Sequence, residues 1–408
     1  MTARLKQSVS QLAGIYNNRF DKLLLSVDEA IIDAGRKTEA QRLLEDSEQH
    51  EARRMLLSVE ELANKKRELQ ATAENAFLFQ VEADFHQELV ADLEIEFRNT
   101  AEIMKTVLKF DSSLGKLLDV LYTEACSISR LVQCLETLPW LETAITKFSL
   151  QPKYRRVDSA GSPIVLKTTR SVLSFIGIES LRTLIPVLVA KHINPLKSEF
   201  TPDLVKNMWL YTLGSGNIAR ALAEARGVRP HFGFNLGLMS NIGRSAVVNM
   251  YLREFDKQLR AQIIKARKDN NPNQAKALGM LSPSHKYILM LWKRHANKIT
   301  SNVFKELDCR WLTIATGFED FSKIRETSIS AIEDQNLHPF ASLLFSAQGF
   351  IQYKMLHGHN LMGKKEAMVY LRNYGITSQD VQTISKINLT GIELNIAGTI
   401  EEAPEKNE

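Results

Sequence analysis

The stretch that decides the fold is residues 231–245, His231-Phe-Gly-Phe-Asn-Leu-Gly-Leu-Met-Ser-Asn-Ile-Gly-Arg-Ser245. At its centre Gly237-Leu238-Met239 leads into Ser240-Asn241, and Ile242-Gly243 follows. Ser240 offers a hydroxyl and Asn241 a neutral amide, and both bind a divalent metal poorly beside imidazole and carboxylate. Just upstream, Gly214, Ser215, Gly216, Ala219, Ala221 and Ala223 crowd into ten residues. Small residues at that density let helices approach closely, so this segment reads as a buried central helix.

Outward from this centre the chain keeps a helical character. The first proline is Pro139, and before it glycine occurs only at Gly14, Gly35 and Gly115, a composition that long helices tolerate. Alternating β-branched runs bounded by turns are scarce. Over residues 3–34 a stripe of Leu5, Val9, Leu12, Tyr16, Phe20, Leu23, Val27 and Ala30 has three- and four-residue spacing, one helical face. A second, polar helix is expected over 38–70, with Leu43, Met55, Val59, Leu62 and Leu69 as sparse anchors. The two either pair as a hairpin or make a coiled-coil contact. The first stripe either packs on the chain's own next helices or joins a second copy as a homodimer. Residues 265–284 read as a polar loop, 285–307 and 317–400 as helical, and 401–408 as a polar tail.

Composition sets outer bounds. The chain has 408 residues, 44% hydrophobic and 24% charged, which is ordinary for a globular protein with a sizeable core. A net charge of +5 is mild for this length and calls for no nucleic-acid partner. No apolar run is long enough to span a membrane, and the first residues lack the apolar core of a secretory signal. Cys126, Cys134 and Cys309 lack metal-site spacing and read as reduced, inert thiols of a cytoplasmic protein.

Residues 231–245 resemble the signature of the HD superfamily of helical phosphohydrolases. There a Gly-Leu-Leu run leads into a metal-binding His-Asp pair followed by Ile-Gly; here the frame stands and Ser240-Asn241 replaces the ligands. Several further segments, in order over roughly residues 95–310, resemble the HDOD family, the HD-related output domain of bacterial signalling proteins. Leu138-Pro139-Trp140-Leu141 sits where the family has Asp-Pro-x-Leu, with Leu138 for Asp and Leu150 where an Asn ends the helix. Ser171 to Arg182 resembles the family's Ala-Ile-x-x-Leu-Gly run, with Gly177 ending one helix and Ile178 opening the next. Met208-Trp209-Leu210-Tyr211-Thr212-Leu213 is similar to Trp-x-His-Ser-Leu, with Tyr211 at the histidine. His295 to Trp311 resembles a helix leading to a tryptophan.

The resemblance implies an all-α protein: an N-terminal helical extension (1–90), an HDOD-like core (91–310) and a C-terminal helical region with a polar tail (311–408). It implies a divergent member, a pseudoenzyme without metal or cofactor, acting in bacterial cytoplasmic signalling through a protein partner. Two other readings stay open. One is a phosphohydrolase of cyclic nucleotides or other phosphodiesters, with a metal site rebuilt from His231, placed in a loop after Pro230, His295 and a carboxylate. The other is a non-catalytic sensor whose pocket, lined by Trp209, Tyr211, Ser240, Asn241 and Arg244, takes a nucleotide or another small anion. Arg244 is the natural anion contact, unless it pairs with a carboxylate of the chain itself.

The remaining features have bland readings. His357-Gly358-His359 suits a strand or loop more than a metal-binding helix face. Gly214-Ser215-Gly216-Asn217 lacks a full phosphate-loop pattern and reads as helix packing. Lys257, Arg260, Lys265, Arg267 and Lys268, and the cluster Lys153-Tyr154-Arg155-Arg156, read as solvated surface without a DNA-reading motif.

Overall fold

All regular structure among the described residues is helical. The computed structural model describes residues 3–45, 58–154, 164–324, 337–392, 394 and 396, and side chains within 3–10 and 43–74 are not described. The expected contacts of Leu5, Val9, Leu43, Met55, Val59, Leu62 and Leu69, the side chains of Arg155 and Arg156, and the tail 401–408 therefore lie outside the description.

The N-terminal extension comprises α1 (Ala3–Leu25), α2 (Val27–Asp33), α3 (Glu39–Glu45) and the long α4 (Ser58–Glu96). A short α5 (Thr100–Glu102) runs into a π-helical turn (Ile103–Leu108). Then come α6 (Ser112–Tyr122), α7 (Ile128–Leu135), α8 (Pro139–Ser149), α9 (Thr169–Ile176) and α10 (Ile178–His192). The centre is α11 (Leu204–Ala225), α12 (Pro230–Met239) and α13 (Ile242–Lys268). Beyond it lie α14 (Pro272–Gly279) and α15 (His285–Leu291), a second π-helical turn (Trp292–Ala296) and α16 (Asn297–Leu307). The chain closes with α17 (Ala315–Lys323), α18 (Pro339–Gly358), α19 (Lys364–Asn373) and α20 (Ser378–Ile384).

The expected stripe over 3–34 breaks once, at Ser26, whose extended backbone and hydroxyl cap α2 through the Glu29 amide. Part of the stripe packs within the chain: Tyr16, Phe20, Leu23 and Ala30 are buried, and α1 packs on α11, α15, α18 and α19. Asn207 on α11 donates to Leu23 O at 2.8 Å, and Asp203 accepts from the Val27 amide at 3.0 Å. Of the expected helix 38–70, residues 46–57 lie outside the description and the described parts are helical, in α3 and the start of α4, which runs on to Glu96 and lies along α13 and α14 through Val81, Phe85, Leu89 and Leu93.

Three local expectations are corrected, two of them by the same piece of physics. Residues 265–284 are not a loop: α13 extends to Lys268, and Asn271 then caps α14 with Pro272 at its first position. His231 likewise is not in a loop, because Pro230 opens α12 and His231 falls in its first turn. Proline at the first helical position gives up an amide that has no intrahelical partner and fixes a helical φ, so it starts these helices. His357 and Gly358 form the last turn of α18, with His359 as its cap, where a strand or loop was expected.

The closest packing is between α11 and α12. A Cβ on Gly237 would run into Ser215 O of α11, and a Cβ on Gly243 into Ala296 O in the second π-helical turn. The glycine frame of residues 231–245 is thus a packing device. Gly177, at φ +79°, separates α9 from α10, as the sequence indicates.

Among the described residues no single helix is long and apolar enough to cross a membrane. α9 and α10 reach that length only together, and they bend by 109° at Gly177.

Candidate functional site

The motif positions meet where α11, α12 and α13 converge. Ser240 caps the end of α12 and donates to Gly237 O at 2.7 Å. Asn241 begins α13; its Nδ2 donates to Thr212 Oγ1 of α11 at 3.3 Å. Thr300 of α16 locks this corner, accepting from the Gly243 amide at 3.0 Å and donating toward Ser240 O at 3.3 Å. Asn241 Oδ1 is buried without a hydrogen-bond partner.

Tyr211 is fully buried one residue before Thr212, with its ring edge-on to Phe20 of α1 at 4.8 Å. Its hydroxyl accepts from Gln352 Nε2 of α18 at 3.2 Å, and burial pushes the phenol up to about 12. Gln352 Oε1 accepts from Tyr370 of α19 at 2.6 Å. The Tyr370 oxygen also lies 2.7 Å from Asn17 Oδ1 of α1, to which Tyr374 donates at 2.7 Å.

Arg244, in the first turn of α13, pairs with Asp21 of α1 at 2.7 Å. Its guanidinium lies 5.0 Å from the Trp292 ring centroid and 5.8 Å from that of Tyr211. Burial acts to lower the Arg244 pKa, but the Asp21 carboxylate, together with Tyr211 and Tyr374, outweighs it and the net direction is upward. Arg244 is therefore a cation already matched by the N-terminal extension, the pairing with a carboxylate of the chain given above as the alternative to an anion contact.

Of the expected pocket residues, Tyr211, Ser240, Asn241 and Arg244 come together, and of these Arg244 lines a neighbouring cavity. Trp209 does not join them: it is half-buried two residues back on α11, about 200° around the helix from Tyr211. The cavity, about 420 Å³, is walled by α1, α13, the second π-helical turn, α18 and Tyr374. Asp21, Asn17, Gln352 and Tyr374 were missed by sequence reasoning. A carboxylate at position 21, beside the apolar stripe of α1, was the available signal, but nothing in it points to a partner 223 residues away. A groove of about 470 Å³ between α6 and the turn at Asp308–Trp311 contains none of the motif positions.

The residues do not fit the metal that the HD pattern implies. The positions offer a phenol, a hydroxyl and an amide, and among the described residues no three His, Cys, Asp or Glu side chains gather. His231 and His295 are held apart in different settings. His231 Nε2 lies 3.5 Å from Glu179 of α10, and His295 Nε2 lies 3.7 Å from Glu94 of α4. Burial lowers the pKa of both. Burial also raises the thiols of Cys126 and Cys134, and pushes Cys309 up to about 12, so none is poised as a nucleophile.

At two further positions where the resemblance fails, the structure gives local reasons. Leu138 is buried at the start of α8 and makes no side-chain cap, while Leu150 closes that helix in solvent. The basic residues of α13 include Lys257, paired with Glu254 at 2.8 Å, and Lys153 lies over the Tyr154 ring at 5.6 Å.

The family model described as HDOD domain matches residues 110–288, within the core expected over 91–310. Such a domain is of a regulatory or signalling type. No curated protein and no solved structure matched the chain.

Proposed function

We propose that this chain is a non-catalytic regulatory protein of bacterial cytoplasmic signalling that acts by binding another protein. The observation that carries the reading is the chemistry at the motif corner. Ser240, Asn241 and Tyr211 supply no metal ligand set, and each makes a hydrogen bond within the fold. Without such ligands there is no metal to lower the pKa of a water or neutralise a phosphoryl group. The family's regulatory character supports the same reading. The helical additions on both sides supply surface beyond the matched segment, as partner recognition by helical proteins requires.

Metal content of the chelator-free protein, measured by plasma mass spectrometry, tests the first half. The expected result is well below one ion per chain, with no hydrolysis of a generic phosphodiester in added Mn²⁺ or Mg²⁺. A tightly held metal at about one ion per chain, together with turnover, would overturn it. Chemical cross-linking in cells tests the second half, with a defined complex to a second protein expected. Recovery of the chain only by itself would sink the partner reading.

A further inference from the structure

Within the run Gly214-Ser215-Gly216-Asn217 the glycines serve packing, while Asn217 has a different task. Gly214 lies against Ile351 of α18 and Gly216 against Phe234 of α12. Asn217 is only 8% exposed, and its Nδ2 donates to Asn388 O and to Gly391 O, each at 3.0 Å. A carboxamide nitrogen carries two protons, and here both go to main-chain carbonyls. Every peptide offers such carbonyls, so Asn217 grips a backbone and not a particular side chain.

The segment it grips is unlike the rest of the fold. α20 is tied to the end of α11 by Arg226 and Asp380, 3.9 Å apart, and the chain leaves helical geometry after Ile384. Ile387, Leu389, Ile392 and Leu394 are then half-buried against the core, while Asn388 and Thr390 are exposed. That near-alternation is the habit of an extended chain lying on a surface. Asn388 folds a hook into it: Oδ1 accepts from the Thr390 amide at 3.0 Å, the Gly391 amide at 3.0 Å and Thr390 Oγ1 at 3.1 Å. A Cβ on Gly391 would run into the Asn388 carboxamide, so the hook needs its glycine. The hook forms within four residues and turns its two end carbonyls to Asn217. Among the described residues, no backbone–backbone hydrogen bond joins 388–392 to another element. One carboxamide and a row of half-buried aliphatic side chains hold the segment, so it opens at less cost than the helices beneath it.

We propose that the face of α11 around Asn217 is the docking site for an extended, aliphatic segment of the protein partner, and that residues 387–392 cover it in cis as a releasable latch. This rests on the partner-binding reading and gives it a place and a control. The seated segment itself shows the chemistry of the occupant: spaced aliphatic side chains and two carbonyls three residues apart. A partner segment of that kind makes the same contacts once the latch lifts.

The test is titration of full-length protein against a fluorescent peptide of residues 385–396, read by anisotropy. In the wild type the tethered segment competes at an effective concentration of about millimolar. Asn388→Ala removes the three bonds of the hook and leaves Asn217 in place, so the peptide should bind this variant about tenfold more tightly than the wild type. Gly391→Val opens the hook by a second route and should give the same gain, which decides the point if Asn388→Ala misfolds. Adding Asn217→Leu to either variant should weaken binding about tenfold; Asn217→Asp, which keeps the size and loses both donors, replaces it if the leucine is not tolerated. No saturable binding to the hook variants at millimolar concentration overturns the proposal, as does binding that ignores the change at Asn217. If the hook variants turn dimeric on sizing, a second copy is the occupant and the partner assignment is wrong. The peptide is the chain's own, so the two readings fail separately. Peptide binding with no cellular complex counts against the partner, and a cellular complex with no peptide binding counts against this face.

Discussion

The α11–α12 contact and the motif corner beside it draw on the same fifteen residues, and they answer to different physics. At the contact, Gly237 leaves no room for any side chain against Ser215 O. At the corner, a hydroxyl and an amide stand where the resembling pattern has imidazole and carboxylate, and both are accommodated by hydrogen bonds to neighbours. A motif of this kind carries two superimposed messages. The glycines specify how close two helices come, and the polar pair specifies what happens where they meet. The first can be kept while the second is exchanged, because backbone approach and metal ligation depend on different atoms.

The largest effect that would test this separation is steric. Gly237→Val should destabilise the protein by about 3 kcal/mol or more, since the added carbons meet backbone on a neighbouring helix, which cannot move aside as a side chain does. Ser240→Ala, three residues on, should cost only about 1 kcal/mol, the worth of one local hydrogen bond. Urea denaturation of the two variants compares them directly. Equal losses would mean that the frame and the polar pair are one unit.

Next in size is the ion pair that joins the N-terminal extension to the centre. Arg244 and Asp21 are largely buried, with side-chain exposures of 18% and 11%. Arg244→Met leaves a carboxylate facing apolar surroundings, and Asp21→Leu leaves a guanidinium. Each should cost about 3 kcal/mol, while the double variant recovers most of that loss. Additive losses in the double-mutant cycle would show that the two charges act separately and that α1 is held by its apolar face alone.

A third substitution acts on the tyrosine network. Gln352 is the only group shown bridging Tyr211 to Tyr370, donating to one and accepting from the other. Gln352→Leu keeps the volume and removes both bonds, at an expected cost of about 1–2 kcal/mol in urea denaturation. A neutral outcome would mean that the two hydroxyls find other partners, with Asn17 the nearest for Tyr370.

The fold was more legible in the sequence than the site. The helical class, the stripe of α1, the buried α11 and the break at Gly177 each follow from spacing, small-residue density or a backbone requirement, all local properties. The corner Tyr211, Ser240, Asn241 and Arg244 was legible because its members lie within thirty-four residues on consecutive helices. Its completion by Asp21, Asn17, Gln352, Tyr370 and Tyr374 was not, because those residues come from both ends of the chain. Pairing across 223 residues is a property of tertiary packing, and no periodicity encodes it. Prolines misled in the other direction: Pro230 and Pro272 read as breakers next to polar residues, and each proved to be the first residue of a helix.

The smallest effect concerns pH and returns to the long α4. His86 is fully buried on α4 against α13 and α15. The Ser284 amide donates to Tyr251 Oη at 2.8 Å, which leaves the tyrosine proton for His86 Nε2 at 3.0 Å. His86 Nδ1 then donates to Glu82 O at 2.9 Å, so the neutral ring satisfies every bond. Burial lowers the His86 pKa below its ordinary 6.5, with Lys286 adding to the effect, against opposing contributions from Glu82. The unfolded chain therefore binds this proton more readily than the folded one. Stability is complete above the unfolded value of 6.5 and declines as pH falls through it toward the folded value. His192, His231 and His295 are lowered by burial as well, and they push in the same direction. The urea midpoint should thus be lower at about pH 5.5 than at about pH 7.5, and His86→Gln should flatten part of that slope. A midpoint that rises on acidification would mean that the pairs of His231 with Glu179 and His295 with Glu94 outweigh burial. The polar contacts of α4 and α12 would then take over at acid pH the role that apolar packing holds at neutrality.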